Sequence, residues 1–252
     1  MASLLHNIAS KLSSPVEKRL FAEYGAIFVT TATPPPEIVF SDAEEVERFQ
    51  SSLTVACAVF GEHCIELQSE ALGALVSAAC EIKENGGSFS SRGIDAGRRS
   101  YQDTEKLWTR NVSRGLEHWR SRERITAERA QAILQLPLAK QVEEILELEQ
   151  TDHLFFGTFF DKSILYSVAA PGASQHLSLL AFDVAEYEDP LVEEALVRHG
   201  WYRTVPADLP HFTYLGHDLE SLPGLGLVRI QRSSGDRTYD FWVPDLARLQ
   251  AD

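Results

Sequence analysis

Cysteine is scarce in this sequence, and its three copies form no recognisable metal or redox motif. Cys57, Cys64 and Cys80 allow one internal disulfide at most and leave one thiol over. A Cys57–Cys64 bridge and a Cys57–Cys80 bridge both stay open for an oxidising compartment. Cys80 falls on the apolar side of a predicted helix, where it is expected to be a buried small hydrophobic residue. No CxxC spacing is present, which argues against a cysteine-based zinc or dithiol site.

Long apolar runs and basic residues are lacking as well. No run approaches the ~20 apolar residues that cross a bilayer, so no membrane-spanning segment is predicted. The N-terminal stretch from Met1 to Lys11 is too polar and interrupted for the apolar part of a secretory signal. Lys and Arg number 23 against 37 Asp and Glu, a formal net charge of −14, which argues against a nucleic-acid-binding surface. The chain is therefore expected to be cytoplasmic, or the mature part of an exported protein.

What the sequence does contain is typical of a globular α+β domain. Its 252 residues are 44% hydrophobic and 24% charged, which excludes a disordered or fibrous chain. Helical patterns dominate the first part, and strand patterns dominate from residue 177. This order predicts a single domain with helices packed on a small, mostly antiparallel sheet.

Periodicity and capping residues place the individual elements. Helices are predicted from a Ser41 cap to Phe49, around 72–82, after a Ser100 cap, over 126–149 with a break at Pro137, and from Asp189-Pro190 to Gly200. Strands are predicted at 26–31, 88–92, 177–184, 211–215, 226–230 and 239–243, with a hairpin turn at Ser234-Gly235-Asp236.

Two histidines and an aspartate stand out as candidate metal ligands. His176 follows a Pro-Gly turn, Asp183 lies seven residues further on, and His211 begins a later strand. Strand alternation puts His176 and Asp183 on opposite faces, so a turn or bulge must intervene if both bind one ion. Two nitrogens and one carboxylate with an open fourth position are typical of catalytic zinc. From the residues alone, however, solvated side chains on a strand are the commoner explanation.

The segment around His176 resembles the zinc D-alanyl-D-alanine carboxypeptidases of the VanY type, relatives of the D,D-dipeptidases and of hedgehog-like folds. That family carries the motif PGxSxHxxGxAxD, and six of its positions are matched here. The matching residues are Pro171, Gly172, Ser174, His176, Ala181 and Asp183.

Three further elements follow the family's order, so that the resemblance covers roughly residues 65–216. The run 97–101 with Leu107-Trp108 is similar to the family's SGYRSY…LW element. His199-Gly200-Trp201 is similar to its HGF/W element, and the run 208–214 to its ExWHF-Y element.

The chain departs from the family pattern at three places. Leu179 stands where the family has glycine, and Asp208 replaces the family's glutamate, shorter by one C–C bond of about 1.5 Å. In addition, a long helical stretch separates Arg99 from Pro171.

The resemblance implies a site and a mechanism. His176, Asp183 and His211 would bind Zn²⁺, which activates water and polarises the scissile carbonyl. Asp208 would act as general base. Arg99 would stabilise the oxyanion or bind a peptide carboxylate, although a salt bridge to a nearby acid explains it equally well, and Arg92 and Arg98 compete for the role.

Other side chains have two interpretations at this stage. Ser174 is a candidate for a hydrogen bond to substrate or to a ligand carboxylate. His199 is explained as well by a helix C-terminus, and Trp201 by the core. Four phenylalanines are expected to pack in the core, with an aromatic substrate wall as the alternative: Phe155, Phe156, Phe159 and Phe160.

The resemblance also implies an organisation and a biological setting. Residues 1–60 would form an N-terminal strand and helix extension, and residues 61–252 the peptidase domain, with a helical insertion at about 103–150. The expected substrate is a peptidoglycan stem peptide or a small peptide, which places the protein in the periplasm or outside the cell. Two alternatives stay open: a catalytically inactive cell-wall or peptide binding module on the same fold, and a cytoplasmic interaction protein without metal.

Overall fold

The computed structural model describes residues 4–249. Residues 1–3, which begin the N-terminal stretch considered as a leader, and residues 250–252, which end the predicted peptidase domain, lie outside the described residues. Nine α-helices are found within 4–249, and none is long and apolar enough to cross a membrane. They are α1 (Leu4–Ala9), α2 (Pro15–Tyr24), α3 (Ala43–Ser52), α4 (Ser69–Glu84), α5 (Tyr101–Ser121), α6 (Ala127–Leu134), α7 (Leu138–Thr151), α8 (Pro190–Arg198) and α9 (Leu246–Leu249).

The strands of the described chain form three small antiparallel sheets. β1 pairs with β2, β6 pairs with β7, and the central sheet has the order β3-β5-β4. The predicted α+β domain with a small antiparallel sheet is therefore confirmed. The strands are β1 (Val55–Phe60), β2 (His63–Gln68), β3 (Ala181–Asp183), β4 (Trp201–Tyr202), β5 (His211–Tyr214), β6 (Leu227–Ser234) and β7 (Arg237–Pro244).

Two large hydrophobic clusters fill the interior. The first surrounds the central sheet and includes Phe182 and Phe212 together with the buried face of α4. The second joins α5, α6 and α7 around Trp108, and the fully buried Phe156 packs into it. These two clusters are the basis for the two sides of the cleft described below.

The N-terminal residues are part of this interior. Phe21 of α2 belongs to the first cluster, whereas Leu20 and Tyr24 of the same helix belong to the second. β1 pairs with β2 along its whole length, so the division expected at residue 60 falls at the turn of one hairpin. Residues 4–60 therefore pack within the same single domain as the rest of the described chain.

Most predicted helices form where their capping residues indicate. Ser100 caps α5 through a reciprocal capping box with Asp103, and Asp189 caps α8 ahead of Pro190. The break at Pro137 separates α6 from α7 as predicted. The cap of α3 is Asp42 rather than Ser41, because the Asp42 carboxylate accepts the N–H of Glu45.

Three of the predicted strands differ from the structure. Residues Gly25–Val29 form a 3-10 helix with all five residues buried, and a short apolar run does not reveal this by its periodicity. In the 88–92 stretch only Ser91 pairs, as an isolated bridge to Val184. The strand predicted over 177–184 begins only at Ala181.

The cysteines also differ from expectation. Cys80 is exposed, because the buried face of α4 runs through Leu75, Ala78 and Ile82 and places residue 80 to one side. The prediction of a buried Cys80 is therefore wrong. All three cysteines are free thiols, with Cys57 on β1 and Cys64 on β2.

Candidate metal centre

Two of the three candidate ligands are placed by the central sheet. Asp183 ends β3 and His211 begins β5, and the two residues lie directly opposite each other in the antiparallel register. Directly opposed residues of an antiparallel pair project to the same face of the sheet. The Nδ1 atom of His211 consequently lies 3.2 Å from Oδ1 of Asp183.

The third ligand is brought to this face by two consecutive turns. The N–H of Ala173 donates to the carbonyl of Ala170 at 2.9 Å, and Gly172 has φ +80°, which is a type II turn with Pro171 in its second position. A side chain on Gly172 would place its Cβ 2.1 Å from the carbonyl oxygen of Phe40, so only glycine fits.

A 3-10 turn over Gln175–Ser178 follows and ends at Leu179 in the left-handed conformation, with φ +55°. The sequence required a turn or bulge between His176 and Asp183, and this turn meets the requirement. Leu179 occupies the position at which the resembling family has glycine. The backbone at Leu179 has a conformation that glycine adopts readily, and a residue with a Cβ atom adopts it at a cost of roughly 1–2 kcal/mol in conformational free energy.

The conformation of Leu179 leads to a test of stability. Leu179 is fully buried, so both Leu179→Ala and Leu179→Gly lose about 2–5 kcal/mol of packing. Glycine removes the left-handed strain, whereas alanine keeps it. We expect Leu179→Gly to be at least as stable as Leu179→Ala, as measured by urea unfolding.

The neighbouring Leu180 provides a matched control, because it is equally buried and lies outside the positive-φ residues. There the usual order should hold, with the glycine variant less stable than the alanine variant by about 1 kcal/mol. The same order at both positions would contradict the assigned strain.

The three side chains meet in a buried position. His176 Nε2 lies 3.3 Å from Asp183 Oδ1, and the candidate ligand atoms of all three residues lie within 4.8 Å of one another. The exposed fraction is 1% for His176, 8% for Asp183 and 5% for His211. Polar atoms that are buried away from water need a hydrogen bond or a bound ion, so each of these side-chain atoms needs a partner.

Hydrogen bonds on the far side of each imidazole determine which nitrogen faces the centre. The backbone carbonyl of Gly97 accepts a bond from Nδ1 of His176 at 2.7 Å, so a neutral His176 carries its proton there and leaves Nε2 bare. The Nε2 atom has no hydrogen-bond partner among the described residues.

Gln175 fixes His211 in the complementary way. Its amide nitrogen donates to the carbonyl of Tyr24, so its oxygen faces His211 Nε2 at 2.9 Å and accepts a hydrogen bond from the N–H of that nitrogen. In a neutral His211 that carries its proton on Nε2, the Nδ1 atom is bare as well. Two imidazole nitrogens and a carboxylate oxygen thus converge at one buried point, where a bound cation would remove the repulsion between their lone pairs.

Charge states agree with this arrangement. Burial lowers the pKa of His176, which keeps its imidazole neutral near neutral pH. Burial opposes ionisation of Asp183, but its interactions with His176 and His211 outweigh that effect and hold the pKa of the carboxyl well below its usual range. A neutral imidazole and an ionised carboxylate are the forms that bind metal ions.

The donor set fits zinc. Two imidazole nitrogens and one carboxylate oxygen are typical zinc ligands, and three protein ligands leave a position for water or substrate. The Gly97 carbonyl and the Gln175 amide supply the outer hydrogen bonds that usually orient ligating histidines.

Arg99 lies beside the centre and contacts it directly. Its Nη2 atom is 2.6 Å from Oδ2 of Asp183, while Nε donates to the carbonyl of Asp95. The salt bridge anticipated as an alternative is therefore present, with Asp183 as the acid. Of the rival arginines, Arg98 pairs with Glu66 and Arg92 lies over the ring of Tyr187, and neither lines the cleft.

A cleft of about 600 Å³ opens over this group and brings the other candidates together. His176, His211 and Arg99 line it, as do Ser174 and the exposed Asp208. The opposite wall is formed by α5 and by the segment that follows α7. The structure thus gathers all six predicted site residues around one cleft, with Asp183 behind Arg99.

The loop that carries Asp208 is held at both ends. The N–H of His211 donates to the carbonyl of Asp208, and the carbonyl of Pro210 accepts the N–H of Val184 at the end of β3. Arg203 holds the loop from beneath, because its Nε donates to the carbonyl of Leu209 at 2.8 Å. Its guanidinium lies 4.4 Å from the ring centre of Phe212. Asp208 is therefore displayed on a firmly fixed loop.

The His199-Gly200-Trp201 element lies outside the cleft. His199 bonds to Glu81 of α4 at 2.8 Å, and Trp201 is buried against Tyr214. Both residues therefore take the structural roles that the sequence left open for them.

Three buried glutamines around the turn were not identified from the sequence. Gln50 donates to the carbonyl of Leu177, and Gln68 donates to the carbonyl of Ser178. Gln175 orients His211 as described. Glutamine carries no spacing signal, so only the folded contacts reveal these roles.

Comparison of the chain with protein-family models, with curated proteins and with solved structures finds no match.

Proposed function

We propose that this protein is a zinc peptidase that cleaves peptidoglycan stem peptides, with the D-Ala-D-Ala bond as its favoured target. The observation that carries the proposal is the convergence of His176 Nε2, Asp183 Oδ1 and His211 Nδ1 at one buried point. The cleft above these atoms supplies room for a peptide, and its lining includes the residue types that peptide hydrolysis needs.

In this proposal His176, Asp183 and His211 hold the zinc ion. When bound, zinc supplies a Lewis acid that polarises a carbonyl and lowers the pKa of water from 15.7 to about 7. Asp183 would offer the ion its Oδ1 atom, because Arg99 Nη2 lies 2.6 Å from its other oxygen. Gly97 and Gln175 keep both imidazoles in the ligating tautomer.

Asp208 and Arg99 perform the remaining steps. The Asp208 carboxylate takes a proton from water and passes it to the leaving amine. Arg99 stays charged at all relevant pH values and offers its remaining N–H groups to the developing oxyanion or to a substrate carboxylate. Ser174, which is buried at the cleft wall, offers a hydroxyl to the substrate.

The second candidate is a peptide-binding module of the same fold without catalysis. Leu179 and Asp208 motivate it, because both departures from the family pattern fall at the site itself. A cell-wall substrate lies outside the cytoplasmic membrane, so both candidates imply a periplasmic or extracellular location.

The proposal is tested on the native protein by two measurements. Metal analysis of protein purified without added zinc should find one zinc per chain, and a peptide ending in D-Ala-D-Ala should release free D-Ala. Zinc without hydrolysis, but with peptide binding, favours the binding module. Absence of a stoichiometric metal overturns both candidates and favours an interaction protein.

A further inference from the structure

One face of α5 extends outward along the cleft from the metal centre. Thr104, Leu107 and Arg110 line the cleft at a spacing of three residues, which places them on one side of the helix. Thr104 is buried, Leu107 is half-buried and Arg110 is exposed. Arg110 therefore lies about 9 Å further along the helix axis than Thr104, which is about three residues of extended peptide.

The inner end of this face adjoins the turn that leads to His176. The N–H of Gly172 donates to the hydroxyl of Thr104 at 3.4 Å. A ligand that reaches from the metal centre along α5 toward solvent thus passes Leu107 and arrives at Arg110.

The outer end of α5 packs against a fixed loop that carries Lys162, where Arg114 Nη2 donates to the carbonyl of Thr158 at 3.4 Å. The N–H of Gly157 donates to the carbonyl of Lys162, and the N–H of Phe160 donates to the carbonyl of Gly157. The buried carboxylate of Glu149 accepts the N–H groups of Phe156 and Ile164 on the two sides of the loop. Lys162 is therefore presented to the cleft from a pre-organised backbone.

The charges at this outer end are not neutralised by the protein. Neither Arg110 nor Lys162 forms an ion pair with an acid in the part of the chain that the structure describes. Asp161, which precedes Lys162 in the chain, also lines the cleft. Arg99 differs, since Asp183 already occupies it.

We propose that Arg110 and Lys162 form a subsite for a carboxylate of the bound peptide, about three residues of extended peptide beyond Thr104. The inference deepens the proposed function, on which it rests for the ligand being a peptide. The subsite should bind acidic peptides more tightly than neutral peptides of the same length. It should also favour them over a dipeptide, which is too short to reach Arg110. The carboxylate belongs to an acidic side chain or to the chain terminus, and the test separates these sources.

The test measures binding of fluorescently labelled peptides by anisotropy at low ionic strength. One peptide carries glutamate and a C-terminal amide, the second carries glutamine in its place, and the third carries glutamine with a free C-terminal carboxylate. Each is titrated into native protein and into Arg110→Gln/Lys162→Gln protein. We expect the double variant to bind the glutamate peptide about tenfold more weakly and the neutral peptide unchanged.

Two further variants sharpen the result. Asp161→Asn removes the competing anion and should tighten binding of the glutamate peptide about twofold to threefold. Lys106→Gln removes a cation from the same helix at an exposed position outside the cleft, and it should change nothing. Loss of affinity for the third peptide alone identifies the chain terminus as the source of the carboxylate.

The outcomes distinguish this inference from the proposed function. Repeating the titrations with His176→Ala protein keeps the subsite while removing a metal ligand, so discrimination between the peptides should persist without hydrolysis. Equal binding of all three peptides to native protein overturns the subsite, even where D-Ala release is observed. Equal losses for charged and neutral peptides in the double variant overturn it as well.

Discussion

His176→Ala should abolish stoichiometric zinc binding and reduce peptide hydrolysis to background. The substitution removes one of the three proposed ligands and leaves only the carboxylate of Asp183 and one imidazole nitrogen of His211. It also leaves the Gly97 carbonyl without its donor. Metal analysis after gel filtration, together with release of D-Ala, measures both effects.

A matched histidine outside the cleft separates metal loss from general damage. His199→Ala removes a half-buried imidazole that bonds to Glu81, so it should leave the zinc content and hydrolysis unchanged. Circular dichroism should show the same helix content for both variants. If folded His176→Ala protein retains one zinc per chain, His176 is not a ligand.

Asp208→Asn should lower hydrolysis about 10²–10⁴-fold while the zinc content stays at one per chain. Asparagine keeps the size of the side chain but cannot take a proton, and positioned general bases contribute a factor of that order. Asp208 is exposed and not a candidate metal ligand, so the substitution removes the proposed base and leaves the candidate donor set intact. Initial rates at fixed zinc occupancy measure the effect.

Asp208→Glu is the informative companion, because it restores the residue of the resembling family. The loop between Val205 and His211 is fixed by backbone hydrogen bonds and by Arg203, so the longer side chain cannot be accommodated by a simple shift of the loop. We expect partial activity, clearly above that of the asparagine variant. Full activity in Asp208→Asn would assign the base to another group.

The predictable part of the fold is the part with local signals. Helix α5 has its Ser100 cap and helix α8 has its Asp189 cap followed by Pro190, and both helices form where these residues predict. The 3-10 helix at Gly25–Val29 has no such signal, because burial on all sides removes the polar positions that reveal a period. The β1–β2 hairpin was missed because the exposed positions Cys57 and Val59 of β1 are apolar, so the strand shows no alternation of polar and apolar residues.

The candidate site also has a part that the sequence predicts and a part that only the folded contacts reveal. The spacing of His176 and Asp183 was enough to require a turn between them, and the structure supplies it through Leu179. The sequence did not reveal that Gly97 and Gln175 determine the tautomers, since a backbone carbonyl and an amide become specific only when folding places them against a ring nitrogen. The pairing of Arg99 with Asp183 was open for the same reason.

The two sides of the cleft belong to different hydrophobic clusters, and this has a consequence for how the protein can change over evolutionary time. The strands that carry Asp183 and His211 are anchored through Phe182 and Phe212 in one cluster, whereas the wall at Leu165 is anchored in the other. Packing substitutions in contacting residues interact, whereas those in separate clusters combine nearly additively. Mutations can therefore reshape the wall, and with it the choice of ligand, while the chemistry beneath is inherited unaltered.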